Sequence, residues 1–242
     1  MSLPHFFAGA PAPGEPVVLS AEDARHAVRS LRMRVGDEFT TSDGEGALAR
    51  ARVTRAERLL VEAEVVDRTD EDRARPPVTV LLSPPKGDRL AWAVQKLTEV
   101  GVDEVVLLEA PRSVRRWTGD RAGRAAARLD GVAREAAKQA RLRFLPRVSG
   151  PVPWVEAVAP DGGLMVIMWE EARRPLLDVL PDEPPSGVSL VIGPEGGIPE
   201  EDARAAERDG AALASLGTNI LRTETAALAA ASVVLSRYGR LG

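Results

Sequence analysis

The chain has 242 residues, 44% hydrophobic and 28% charged, which excludes a disordered or fibrous polypeptide and leaves enough chain for one or two domains with a sizeable core. It has no cysteine and only two histidines, His5 and His26, which excludes a disulfide framework, a cysteine nucleophile and a thiolate site, so no metal centre is expected. The net charge is -4, no apolar run reaches the roughly 20 residues that span a bilayer, and MSLPHFFAGAPAPGEP lacks the basic end and apolar stretch of a signal peptide, so a cytoplasmic protein without a membrane partner is expected.

In chain order, the first 70 or so residues read as short strands over Val17–Leu19, Glu38–Thr41, Ala47–Val53 and Leu59–Val66, with a tight turn at Asp43-Gly44. One helix interrupts them: Ser20 caps it, Glu22 and Asp23 lie in its first turn, and His26, Val28, Arg29 and Leu31 follow. This pattern suggests a small barrel. Asp67–Pro77, DRTDEDRARPP, reads as a linker by composition. The expected domains are 1–72 and 73–242.

Beyond the linker, strands and helices alternate. Val78–Leu82 is a strand, and Asp88–Val100 is a helix with Leu90, Val94 and Leu97 at i, i+4 and i+7. Val105–Leu108 is a strand, and a basic helix runs from about Asp120 to Arg141. Leu164–Trp169 and Val188–Ile192 are apolar runs typical of strands buried on both faces. Pro199 with Glu200, Glu201 and Asp202 opens a helix. Ala211–Leu216 is a last strand, and Thr223–Tyr238 an Ala-rich helix apolar nearly all round. Such alternation predicts an α/β domain with a mostly parallel sheet covered by helices.

Charge is unevenly spread. Residues 1–75 carry a net -3, residues 76–150 a net +6 and residues 151–242 a net -7. Arg112 to Arg147 holds eleven basic residues against Asp120, Asp130 and Glu135. A polyanion partner leaves such a footprint, and so does a solvated helix face.

Gly44-Glu45-Gly46-Ala47-Leu48-Ala49 fits the dinucleotide fingerprint, but a second β-like segment follows it where that motif needs a helix, so a hairpin turn is expected. More informative is Leu190–Gly197, LVIGPEGG, a glycine-rich loop directly after a buried strand. Ligands of open parallel sheets bind outside the carboxyl ends of strands, and glycines let the backbone approach them closely. A valine at Gly196 is expected to fill that space and to disfavour a positive φ. A second loop, Leu216-Gly217-Thr218-Asn219, leads into Ile220-Leu221-Arg222-Thr223-Glu224. Thr223 as cap and Glu224 as first-turn acid would also suit a plain helix start.

IGPEGG followed by LGTNILRTETAAL resembles the RsmE-type family of the SPOUT methyltransferases, and the resemblance covers nearly the whole chain. His26-Ala27-Val28-Arg29-Ser30-Leu31-Arg32 with Gly36-Asp37, Lys86-Gly87-Asp88, Gln95–Val102 and Arg112-Ser113 match its other motifs. Three stretches depart from the family pattern: His5-Phe6-Phe7 at the start, Lys138-Gln139-Ala140-Arg141-Leu142, and Asn219 in place of an arginine.

The resemblance implies an N-terminal PUA-like β-barrel that binds RNA and a C-terminal SPOUT α/β domain with a deep trefoil knot, a rare exception to unknotted chains. It implies a homodimer that uses S-adenosylmethionine to methylate N3 of a uridine in bacterial 16S ribosomal RNA, position 1498 in the usual numbering, in the small ribosomal subunit. Cofactor binding then falls to Met168, Gly193, Pro194, Glu195, Gly196, Gly197, Leu216, Gly217, Asn219, Ile220, Leu221 and Arg222, with Glu195 fixing its own loop. Helix 223–238 then fits the knot, the dimer interface or simply the core. Glu224 is the candidate base and Arg222 the candidate cation beside the uridine anion. RNA contact is expected from Arg25, His26, Arg29, Arg32 and Arg34 and from Lys86, Arg112, Gln139 and Arg141, since guanidinium forks suit phosphate. Phe6 and Phe7 fit barrel core better than base stacking. The alternatives are a SPOUT enzyme acting on another RNA position or a ribose oxygen, and a non-catalytic RNA-binding protein.

Overall fold

A computed structural model describes residues 3–86, 88–112, 120–159 and 162–241, with the backbone alone for Asp120 and Arg121. Gly87 and Ser113 of the motifs above, and Arg115 and Arg116 of the basic stretch, lie outside the described residues. The chain divides into two compact units, Met1–Arg73 with Ala137–Leu145, and Ala74–Ala136 with Pro146–Gly242. The first unit thus includes ten residues that the sequence places in the second domain, Arg73 and Ala137–Leu145.

The first unit contains β1 (His5–Phe6), β2 (Pro16–Val18), α1 (Ala21–Arg29), β3 (Glu38–Ser42), β4 (Ala47–Glu57) and β5 (Leu60–Asp70). Its sheet has the order β1-β3-β4-β5-β2, antiparallel except where β1 joins β3. Alternation puts Ala47, Ala49, Ala51 and Val53 inside, with Phe6 meeting Phe39 edge-on. Phe6 and Phe7 are both core.

The Ser20 hydroxyl accepts the Asp23 N–H, capping α1 as expected. The inner face of α1 buries Ala24 and Ala27, and its outer face presents Arg25, His26 and Arg29. Asp43 takes the N–H groups of Glu45, Gly46 and Ala47, while Gly44 and Gly46 adopt positive φ; the glycine motif is a β3–β4 hairpin. The linker reading needs correction at its start. Residues 67–70 belong to β5, because their backbone pairs with Ala47–Arg50 and Asp67 takes an ion pair from Arg50.

Ala137–Leu145 joins the first unit through side-chain ties. Lys138 Nζ meets buried Asp23 at 2.7 Å, Arg143 reaches Gly46, Thr69 and Glu71, and Ser42 donates to the Arg143 carbonyl. His5 is buried, with Nδ1 against the Thr40 hydroxyl at 2.9 Å. Burial above all, with Arg141 and Lys138 nearby, lowers its pKa to about 4.

The second unit runs β6 (Val78–Leu82), α2 (Arg89–Glu99), β7 (Glu104–Glu109), α3 (Asp120–Ala140, its last turn counted with the first unit), β8 (Arg147–Pro153) and α4 (Trp154–Ala157). It continues with β9 (Leu164–Met168), α5 (Leu176–Val179), β10 (Val188–Ile192), α6 (Glu200–Arg208), β11 (Ala212–Ala214) and α7 (Thr223–Arg237). Every strand pair is parallel, in the order β11-β9-β10-β6-β7-β8. The chain builds outward through β7 and β8, then crosses to β9 and inserts β10 beside β6.

Both faces of the sheet are covered. Val78, Val80, Leu82, Val188, Leu190 and Ile192 pack with α2 and α7, while Leu81, Val191, Ile167 and Leu213 pack with α4 and α6. Such burial explains the unbroken apolar runs in the sequence. α7 buries Ala227, Ala230, Ala231, Val234 and Leu235 in this unit's own core, and Arg240 beyond it holds Asp103 and the carbonyls of Pro76 and Gly101. Among the described residues no helix is long and apolar enough to cross a membrane.

Candidate functional site

A cavity of about 460 Å³ opens at the carboxyl ends of β9, β10 and β11, the position at which open parallel sheets take ligands and a size typical of small-molecule sites. Three segments line it: Met168–Glu170 after β9, Gly193–Ile198 after β10, and Ser215–Thr223 between β11 and α7. Every residue to which the sequence assigns cofactor binding lies in the lining. Sequence reasoning missed Trp169, Glu170, Ile198, Ser215 and Thr218 there, although Trp169 and Glu170 satisfy the same strand-end rule as the glycine loops.

Hydrogen bonds hold these segments in place. The Lys86 N–H donates to Glu195 Oε1 at 2.8 Å, tying the loop after β6 to the glycine loop. Glu195 thus reaches beyond its own loop. Thr223 donates its hydroxyl to the Gly193 carbonyl at 3.2 Å. The helix cap is accordingly Arg222, without a side-chain cap bond, and Thr223 is the first residue of α7 rather than its cap. Trp169 donates Nε1 to the Ile198 carbonyl and carries the Arg204 guanidinium over its ring.

The glycines differ in what they permit. Gly197 has φ +72°, and a Cβ there would collide with the Glu170 carboxylate. A Cβ on Gly193 would lie 2.6 Å from Ile198 Cγ1. Gly217 has φ +112°. Gly196 does not adopt positive φ, and a Cβ there would meet Arg112 at an ordinary 3.5 Å. The backbone constraint expected at Gly196 therefore sits one residue later.

Of the two candidate catalytic side chains, Arg222 lines the cavity and is exposed. Glu224 does not line it. That residue is buried, with Oε1 3.4 Å from Arg89 Nε at the start of α2, because the first turn of α7 faces that helix. The carboxylate thus faces Arg89, and the lining ends at its neighbour Thr223 and at Ala226.

The candidate RNA residues fall in both units. Arg25, His26, Arg29, Arg32 and Arg34 are exposed on or just after α1 of the first unit. Among the described residues their side chains form no ion pair, whereas Arg50, Arg52, Arg55 and Arg68 on the strands are all matched by acids. Arg52, followed by Arg50, holds the Glu38 carboxyl below the usual carboxylate range. Gln139 and Arg141 are exposed in the added segment of the first unit. Lys86 and Arg112 sit beside the cavity, the latter with Nη1 3.3 Å from the Gly196 carbonyl.

A family model described as an RNA methyltransferase domain matches residues 72–235, and one described as an RNA methyltransferase PUA domain matches residues 19–66. Ribosomal RNA small subunit methyltransferase E of Mycobacterium bovis is 35% identical over 94% of this chain and 90% of that protein; the Bacillus subtilis protein of the same name is 32% identical over 89% and 88%. A crystal structure of ribosomal RNA small subunit methyltransferase E from Neisseria gonorrhoeae, bound to S-adenosyl methionine, superposes with a TM-score of 0.87 at 29% identity, covering 97% of each chain. Matched along nearly its whole length, in sequence and in fold, the chain belongs to the ribosomal RNA small subunit methyltransferase E family.

Proposed function

We propose that this chain transfers the methyl group of S-adenosylmethionine to N3 of a uridine in 16S ribosomal RNA, at position 1498, within the small ribosomal subunit. The observation that carries the proposal is the strand-end cavity, whose lining gathers both glycine-rich loops around one space of ligand size. The residues fit the cofactor. Gly193 packs against Ile198 and Gly197 adopts positive φ, which fix the glycine loop, and residues 193–197 and 215–222 bring apolar side chains and loop backbone with N–H and C=O groups to one space that suits an adenine ring.

Met168, Gly193–Gly197 and Leu216–Arg222 would hold the cofactor, which when bound supplies a methyl group on a positively charged sulfonium. The chain's own contribution is chiefly orientation, since fixing two reactants in line is worth up to roughly 7–11 kcal/mol. Arg222, exposed on the lining, faces the incoming RNA and offers a cation to a phosphate or to the uridine anion. Arg25, His26, Arg29, Arg32 and Arg34 capture RNA on the first unit, joined by Gln139 and Arg141; Lys86 and Arg112 do so beside the cavity.

Three finer features belong to the same proposal. The segments from β10 through α7 form the trefoil knot, the first unit is a PUA-like barrel, and two copies associate through the C-terminal unit in the cytoplasm. The association rests on the family to which the chain belongs.

The test is incubation of the protein with S-adenosylmethionine and small ribosomal subunits that lack the modification, then mass spectrometry of the digested nucleosides. 3-Methyluridine at the stated position is expected. A methyl on another base or on a ribose oxygen, or no transfer at all, would overturn the proposal, and a parallel reaction on free 16S RNA separates the two substrate forms.

A further inference from the structure

Glu224 presents an unusual situation for a carboxylate. It is 7% exposed, and among the described residues its Oε2 accepts no hydrogen bond and its Oε1 meets only Arg89 Nε, at 3.4 Å. A buried charge with an unsatisfied oxygen is costly to keep. Arg89 is its counterpart in the opposite sense, with 43% of its side chain exposed and no other partner among the described residues. The pair is fastened to the cavity from both ends. Thr223, adjacent to Glu224, lines the cavity and holds the Gly193 carbonyl, and Lys86, three residues before Arg89, donates its N–H to Glu195 of the glycine loop.

We propose that Arg89 is a second substrate-facing cation that stabilises the uridine N3 anion alongside Arg222, and that Glu224 is the positioning residue that aims it. The inference rests on the methyl-transfer reading above and assigns Glu224 a role other than base. A guanidinium has five N–H donors in a planar fork. Pairing through Nε leaves the terminal amino groups for a substrate oxygen. When uridine N3 loses its proton, the negative charge spreads over O2 and O4, and a donor on either oxygen leaves N3 open. The N3–H bond breaks and the proton passes to solvent. The N3 electron pair then forms the new N–CH3 bond as the methyl–sulfur bond breaks, and sulfur departs as a neutral thioether. The other charged groups on the neighbouring segments are Lys86 and Asp88 before α2, Glu195 in the glycine loop and Arg222 before α7.

The experiment is single-turnover methyl transfer to unmodified small subunits from neutral to alkaline pH, with cofactor binding followed separately by calorimetry. Arg89→Ala is expected to slow transfer by about 10²–10³-fold at neutral pH, the usual loss on removing one preorganised donor. The deficit should shrink as pH rises, because alkali supplies the anion that Arg89 no longer favours. Glu224→Gln should move the profile in the same direction by a smaller amount, with unchanged cofactor affinity. Arg89→Lys should fall between wild type and alanine, and it carries the test if Arg89→Ala does not fold. An equal loss at every pH, no loss in the lysine and alanine variants, or a Glu224→Gln enzyme that loses its pH dependence would overturn the proposal. Absence of 3-methyluridine with the wild-type protein would instead overturn the methyl-transfer reading itself.

Discussion

The cavity of the second unit and the α1 face of the first would recognise their ligands by different means. The cavity is built on loops at strand ends, with Gly193, Gly197 and Gly217 shaping them. The α1 face is built from side chains, with Arg25, Arg29, Arg32 and Arg34 exposed and unmatched by acids among the described residues. A loop-built site stands or falls with loop conformation, so one strained residue should disable it. A side-chain surface works by accumulated charge, so it should weaken by steps and in proportion to salt.

The largest expected effect follows from the loop-built site. Gly197→Val forces a β-branched residue into positive φ and displaces the Glu170 carboxylate, so S-adenosylmethionine affinity should fall about 100-fold by calorimetry. Gly196→Ala, in ordinary contact with Arg112, should stay within a few-fold of wild type. Equal losses at both positions would break the contrast.

Arg222 lies where the two modes meet, a charged side chain on a loop-built site. Arg222→Ala should leave RNA affinity nearly intact and slow methyl transfer by about 10²-fold, measured under single turnover. A loss confined to RNA binding would move Arg222 to the side-chain surface. On that surface, Arg29→Ala with Arg32→Ala should weaken RNA binding and lower the salt slope by about 0.7–0.9 for each phosphate no longer neutralised. Cofactor affinity should not change. Wild-type RNA affinity at every salt concentration would sink the assignment.

His5 sharpens the comparison from the stability side. Its pKa is lowered to about 4 by burial, so between about 6.5 and about 4 the unfolded chain takes up a proton that the folded unit refuses. Stability is therefore present above the unfolded pKa and lost as pH falls through this window, by on the order of 2 kcal/mol. Denaturant titrations should show the acid loss in wild type and a flatter profile in His5→Gln. The smallest effect is expected at Arg50: paired with Glu38 and Asp67, its replacement by alanine should leave RNA affinity unchanged.

Long apolar runs and glycine loops made β6, β9, β10 and the cavity legible in sequence, because burial on both faces and positive φ each restrict residue choice at single positions. β8 was not legible. Its segment RVSGPVP carries a glycine and two prolines, which an edge strand tolerates and a central one does not. Residues 67–70 look like a linker because their charges face solvent, yet their backbone completes β5. The association of Ala137–Leu145 with the first unit depends on Lys138 and Arg143 finding Asp23 and Glu71, pairings that no local pattern encodes. Glu224 illustrates the same limit at the site. Its position after the cavity loop is visible in the sequence, but its direction is set by how α7 packs on α2.

The ties from Thr223 to Gly193 and from Glu195 to the Lys86 N–H are bonds that the chain makes within itself. Loops held by such bonds surrender less conformational entropy when a molecule enters. Part of the affinity of this site therefore resides in bonds the protein makes to itself, and loosening either tie should lower affinity while every group that meets the ligand stays in place. Thr223→Val would show this as a less favourable binding entropy, with extra amide exchange in the two glycine loops of the empty protein.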